Sequence, residues 1–90
     1  MDAKYVTIKE LPESATLVGK LGYQEGVPVD TSTQSAADVR DKEVAWVRDD
    51  LIRQAGEKYA VDGQSLYLIE TKALASLDVW VDFQADVYRV

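Results

Sequence analysis

Over residues 77–88, "LDVWVDFQADVY", apolar and polar side chains alternate without interruption. A period of two marks a β-strand, because successive side chains on an extended backbone point to opposite faces. Leu77, Val79, Val81, Phe83, Ala85 and Val87 fall on one face and read as core. Asp78, Trp80, Asp82, Gln84, Asp86 and Tyr88 fall on the other, a wet face that nonetheless carries two large aromatics. A strand running through residues 77–90 is long for a chain of 90 residues. It is expected to bend, to pair on both sides or to leave an edge open.

That apolar face needs a cover, and the chain offers one helix. Val44, Val47, Leu51, Ile52, Ala55 and Tyr59 share one arc at the helical repeat. Ser35 stands three residues before Asp38, the spacing of a capping box, and Thr33 is an alternative cap. One straight helix over residues 35–60 would run about 37 Å, more than neighbouring strands cover. The pattern therefore predicts a dominant helix over about residues 43–59, with residues 35–41 as its overhang or a preceding turn. Val39 and Trp46 lie on the opposite arc, so Trp46 needs a partner of its own.

The remaining segments are shorter. Val6 and Ile8, followed by Pro12, predict a first strand or extended arm within residues 1–14. Residues 16–24, "TLVGKLGYQ", predict a strand in which Gly19 and Gly22 mark a bend or a close backbone approach, ending in a turn at Glu25 and Gly26. Residues 27–34 read as loop. "SLYLIET", residues 65–71, is apolar on both faces over residues 66–69 and reads as an interior strand, with "KALAS" turning the chain after it. Gly63 in "VDG" suits a positive-φ turn. The sum is a single α+β domain over residues 1–90, β(β)αββ, with one main helix on a three- or four-stranded, largely antiparallel sheet.

Composition narrows the function. A net charge of −6 disfavours nucleic acid and anionic membranes, which demand clustered Lys and Arg, and leaves a basic partner or simple solubility. There is no Cys and no His, which removes thiolate chemistry, histidine acid–base catalysis and the commonest metal ligands. No apolar run reaches the roughly 20 residues of a membrane span, and the first ten residues have no signal-peptide core, so direct membrane insertion is not expected. Neither a cofactor nor a metal is expected.

Chemistry-bearing groups are scattered. Asp49 and Asp50 are adjacent on a helix and face different ways, while Arg53 is spaced to pair with Asp50 and Glu57 as on any solvated helix. Asp78, Asp82 and Asp86 share a strand face about 13 Å apart, too far to flank one bond or one ion, though the row suits a basic partner. A small hydrolase would need carboxylates joined by folding, Glu70 and Asp82 for example. Gly19 and Gly22 form no phosphate-loop pattern, and Ser65 and Ser76 have no base at motif spacing. The sharper signal is aromatic. Trp80 and Tyr88 within the acidic face, and Trp46 off the helical stripe, are residue types favoured where proteins meet. Trp46, Asp78, Trp80, Asp82, Asp86 and Tyr88 are accordingly the expected interaction surface.

Lys20, Leu21 and Gly22, then Ala55, Glu57 and Lys58 at the end of the helix, then Ala85, Val87 and Tyr88 in the last strand carry a resemblance. The chain resembles small bacterial cell-envelope proteins of the YdgH/BhsA/YahO kind over about residues 15–90, and more loosely the RcsF/YbjQ class. Tyr59 and Gln84 stand where that pattern has glycine, and the helix region holds extra residues. The resemblance implies a periplasmic or outer-membrane-associated protein connected with stress, surface properties or biofilm behaviour, with no catalytic residues. The leading expectation is a noncatalytic envelope domain that works by protein contact through the Trp80 and Tyr88 face or an open strand edge, which a homodimer would hide. The rival expectation, from the net charge of −6 together with Asp78, Asp82 and Asp86, is an acidic inhibitor or immunity-type protein that blocks a basic partner.

Overall fold

The computed structural model describes residues 3–27, 35–76 and 80–90. Its elements are β1 (Ala3–Tyr5), β2 (Thr16–Gly26), α1 (Ala36–Tyr59), β3 (Leu66–Ala75) and β4 (Trp80–Arg89). They form one four-stranded sheet in the order β1-β3-β4-β2, with α1 across one face. β4 runs antiparallel to both neighbours and β1 runs parallel to β3. The expected α+β class, one helix on a mostly antiparallel sheet, is what the chain adopts.

β4 pairs on both sides, so its period-two pattern fixes the layers. Val81, Phe83, Ala85 and Val87 are buried and meet Leu21 of β2, Leu66 and Leu68 of β3, and Val47, Leu51 and Ala55 of α1. The three helix residues recur every four positions, one stripe of the expected arc, with Val44, Ile52 and Tyr59 packed at its margins. Truncating Phe83, which is 1% exposed, would forfeit about 3–5 kcal/mol. Leu77, Asp78 and Val79, and the loop expected over residues 28–34, lie outside the described residues.

The helix is continuous from Ala36, capped by Ser35 Oγ accepting from Asp38 N at 3.1 Å. None of its residues before Val44 joins the core, so of the two alternatives for residues 35–41 the helix adopts the overhang and not a separate preceding turn. Gly63 turns the chain into β3 at φ 79°.

One expectation, the first strand within residues 1–14, is met in place but not in extent, and two others fail, each for an identifiable reason. β1 ends at Tyr5, before Ile8, which is 73% exposed. Val6 N still donates to Leu68 O, after which a turn closed by Glu10 N to Thr7 O leads the chain away. Glu25 and Gly26 do not turn but continue β2 opposite Val81 and Trp80. "KALAS" does not turn the chain either, since β3 runs on to Ala75. A bulge between Glu70 and Lys72 inserts one residue and reverses the phase of β3. Leu66, Leu68 and Glu70 face the helix before it, and Ala73 and Ala75 do so after it, while Leu74 passes to the other face. A period-two reading breaks at such a slip.

Candidate functional site

The sheet face away from α1 is built by register. Across it lie Gly26 beside Trp80, then Gln24, Asp82 and Leu74, then Gly22, Gln84 and Lys72, then Lys20, Asp86 and Ile69, and last Leu17, Tyr88 and Tyr67. Leu74 and Leu17 are each 47% exposed and Trp80 45%. Two apolar ends therefore flank a charged centre. At one end Lys4 Nζ sits 5.7 Å from the Tyr67 ring centroid, beside Tyr88.

The centre is held by Asp82, whose Oδ2 lies 2.5 Å from Lys72 Nζ. The carboxylate is 4% exposed although it lies on the face without a helix, because neighbouring side chains on the flanking strands close over it. Lys72 beside it holds its carboxyl below the usual range against the opposing effect of burial, helped by Gln24 and Gln84. Its Oδ1 makes no hydrogen bond among the described residues. Asp86 is half-buried opposite Lys20.

Trp46 does not join this face. It projects from α1 on the other side of the sheet, 50% exposed, at the outer edge of β2. There it meets the Tyr23 ring edge-on, with centroids 5.2 Å apart at 70°, which is the separate partner its off-stripe position called for. The Tyr23 hydroxyl donates to the Glu25 carboxylate, and that bond, with some burial, pushes the phenol up to about 12. Glu43 completes the corner. Desolvation and then the neighbouring Glu25 raise its carboxyl above the ordinary value.

The expected surface thus divides. Trp80, Asp82, Asp86 and Tyr88 share the open face, Trp46 stands at the β2 edge on the helix side, and Asp78 lies outside the described residues. Sequence reasoning passed over Leu74, turned outward by the β3 bulge, and Lys72, whose pairing with Asp82 depends on the same slip. It also passed over Tyr23, Glu25 and Glu43, which only the helix's placement brings together.

Glu70 and Asp82 are not joined. Glu70 faces the helix and receives both Arg48 Nε and Nη2 at 3.0 Å, while Asp82 faces away. Arg53 donates to Asp50 and to Glu57, the ion pairs that their spacing predicts, but the Asp50 side chain is only 10% exposed and also accepts from Gln54, so it is not on a fully solvated face as expected. Among the described residues no three acidic side chains gather to hold a metal ion, and no helix is long and apolar enough to cross a membrane. No family model, curated protein or solved structure matches the chain.

Proposed function

We propose that the protein is a noncatalytic contact module of the bacterial envelope, binding another protein through its open sheet face. The observation that carries this reading is the pairing of exposed apolar ends, Trp80 with Leu74 and Leu17 with Tyr88, on a sheet face that no described element covers. Aromatic and aliphatic groups around a tied central ion pair supply broad apolar contact and a polar register mark at once. Two of the carboxylates support the noncatalytic side, while Glu43 at the β2 edge is shifted the other way. Asp82 and Asp50 are both held below the usual range by basic partners, the reverse of what a proton donor near neutrality needs. The envelope setting rests on the resemblance in Lys20, Leu21, Gly22 and the last strand.

A photo-activated cross-linking residue placed at Leu74 in the source cell tests the reading, with Asp41 on the overhanging helix as the control position. Discrete protein adducts from position 74 and none from position 41 are expected. Equal, diffuse labelling from both positions would remove the open face as a contact surface.

A second reading, the acidic blocker of a basic partner, is favoured by one specific feature. The exposed Trp46 ring meets Tyr23, whose hydroxyl is bonded to Glu25 with Glu43 beside it. The ring also shares a shallow hollow with Asp49, Asp50 and Arg53, so that acids outnumber the one arginine at this β2-edge corner. That corner lies away from the open face.

A further inference from the structure

β2 is the long edge of the sheet. It pairs with β4 alone, so along Thr16–Gly26 alternate N–H and C=O groups point outward, and among the described residues no other backbone group meets them. On the opposite side β1 covers only Leu66–Leu68 of β3, and the rest of β3, to Ala75, is a second free edge. That one is broken by the bulge between Glu70 and Lys72 and carries the lysine at position 72, both ordinary protections against strand addition. On β2 the protecting features, a bulge between Leu17 and Gly19 and the lysine at position 20, sit in the first half. Residues 21–26 carry neither. On the open face this stretch presents Gly22, Gln24 and Gly26, with the Trp80 ring close to Gly26. On the helix side it presents Tyr23 and Glu25, backed by Trp46 and Glu43.

We propose that residues 21–26 of β2 accept an added strand from a basic partner, an extended segment whose alternate Lys or Arg side chains lie beside Trp46, Glu25 and Glu43. Backbone pairing supplies the register and the side chains on one face supply the choice, as in strand addition generally. A cation over the exposed Trp46 indole gains from its π-face and from the flanking carboxylates together. Charge selects this occupant over a second copy. Self-pairing joins two chains of net charge −6 and brings one pair of Glu25 and Glu43 toward another where the two Trp46 corners meet. This rests on the contact-module reading and assigns it a second surface with a defined partner chemistry.

The test uses the full chain carrying Trp80→Phe, so that Trp46 is its only tryptophan, and capped peptides of about six residues, the usual strand length. One peptide alternates lysine with valine and one alternates glutamate with valine. Two further lysine peptides carry N-methyl groups on one or the other set of alternate amides. With the lysine peptide we expect a Trp46 emission change, amide shifts and slowed hydrogen exchange at residues 21–26, and weakening toward about 0.3 M salt. The glutamate peptide should not bind, one N-methylated peptide should lose binding, and Glu43→Gln should weaken it about two- to fivefold with unchanged circular dichroism.

Equal binding of all the lysine peptides would overturn strand addition. Shifts confined to Leu74, position 80 and their neighbours would overturn the edge site while upholding the open-face reading. Protection of residues 21–26 that grows with protein concentration, without peptide, would make a second copy the occupant. Absence of any response would also defeat this inference, and cross-linking from position 74 would then decide the broader reading by itself.

Discussion

Tyr59, the last residue of α1, lies across Gly19 of β2 so closely that a Cβ on the glycine would overlap its ring. The backbone at Gly19 is not in the left-handed region, so the absent side chain matters for space alone. Gly19→Ala must push the ring aside, and an expected cost is about 1 kcal/mol, the lower end of overpacking because a ring tip can swing. In a Tyr59→Ala background the same change should reverse sign and stabilise by about 0.5 kcal/mol, since alanine then only relieves the entropy cost of a strand glycine. A double-mutant cycle in urea reads the difference directly. Additive effects would mean that the contact carries no energy.

That contact also shows what the sequence reveals and what it withholds. A glycine interrupting a strand pattern announced a close approach, and Gly19 has one, but nothing local could name a residue forty positions on as its cause. The β4 alternation and the stripe of Val47, Leu51 and Ala55 were legible because burial on one face enforces a regular period. The second half of β3 was not, because the bulge after Glu70 changes phase at a single residue and so turns Leu74 and Lys72 to the face without a helix. The Trp46 corner was half legible. The tryptophan stood out as off-stripe, whereas Tyr23, Glu25 and Glu43 come to it only through the tertiary placement of α1 over β2.

Arg48 ties the helix to the sheet in a way that charge alone does not describe. Its Nε and Nη2 each donate to one oxygen of Glu70 at 3.0 Å, and its guanidinium carbon lies 5.6 Å from the Phe83 ring centroid. A lysine keeps the charge but not the fork or the flat stack. Arg48→Lys is therefore expected to destabilise by about 0.5–1 kcal/mol, most of what Arg48→Ala costs at this half-exposed site. Chemical denaturation of both variants settles it. A lysine variant as stable as the wild type would reduce the interaction to two point charges.

The pair of Lys72 and Asp82 gives a pH signature. The folded carboxyl is held below its ordinary value by Lys72, so the pair's contribution is complete above the unfolded carboxyl range and is lost as pH falls through the folded value. Lys72→Ala strands a carboxylate that its neighbours shield from water. That variant should be less stable than the wild type near neutrality, with the gap narrowing as the solution is acidified and the stranded group takes a proton. Asp82→Asn should flatten the acid limb of the stability profile. Urea melts at a series of pH values test both, and a gap that stays constant with pH would show that Lys72 contributes packing rather than charge.

Alkaline behaviour should be set by Tyr5 and Tyr23. Burial first, and then the Glu70 carboxylate, push the Tyr5 phenol up to about 12, while its hydroxyl donates to the Arg48 carbonyl at 3.1 Å. Tyr23 is raised to about 12 chiefly by its bond to Glu25. For a group whose folded value is raised, the stability is fully present below the unfolded value, near 10 for tyrosine, and disappears as pH climbs through the folded one. Ultraviolet difference absorbance should accordingly show Tyr5 and Tyr23 ionising late, with stability falling between about pH 10 and 12. Tyr5→Phe and Tyr23→Phe should each make that fall shallower and remove one late-titrating phenol. Persistence of the full alkaline loss in the double variant would place its origin elsewhere.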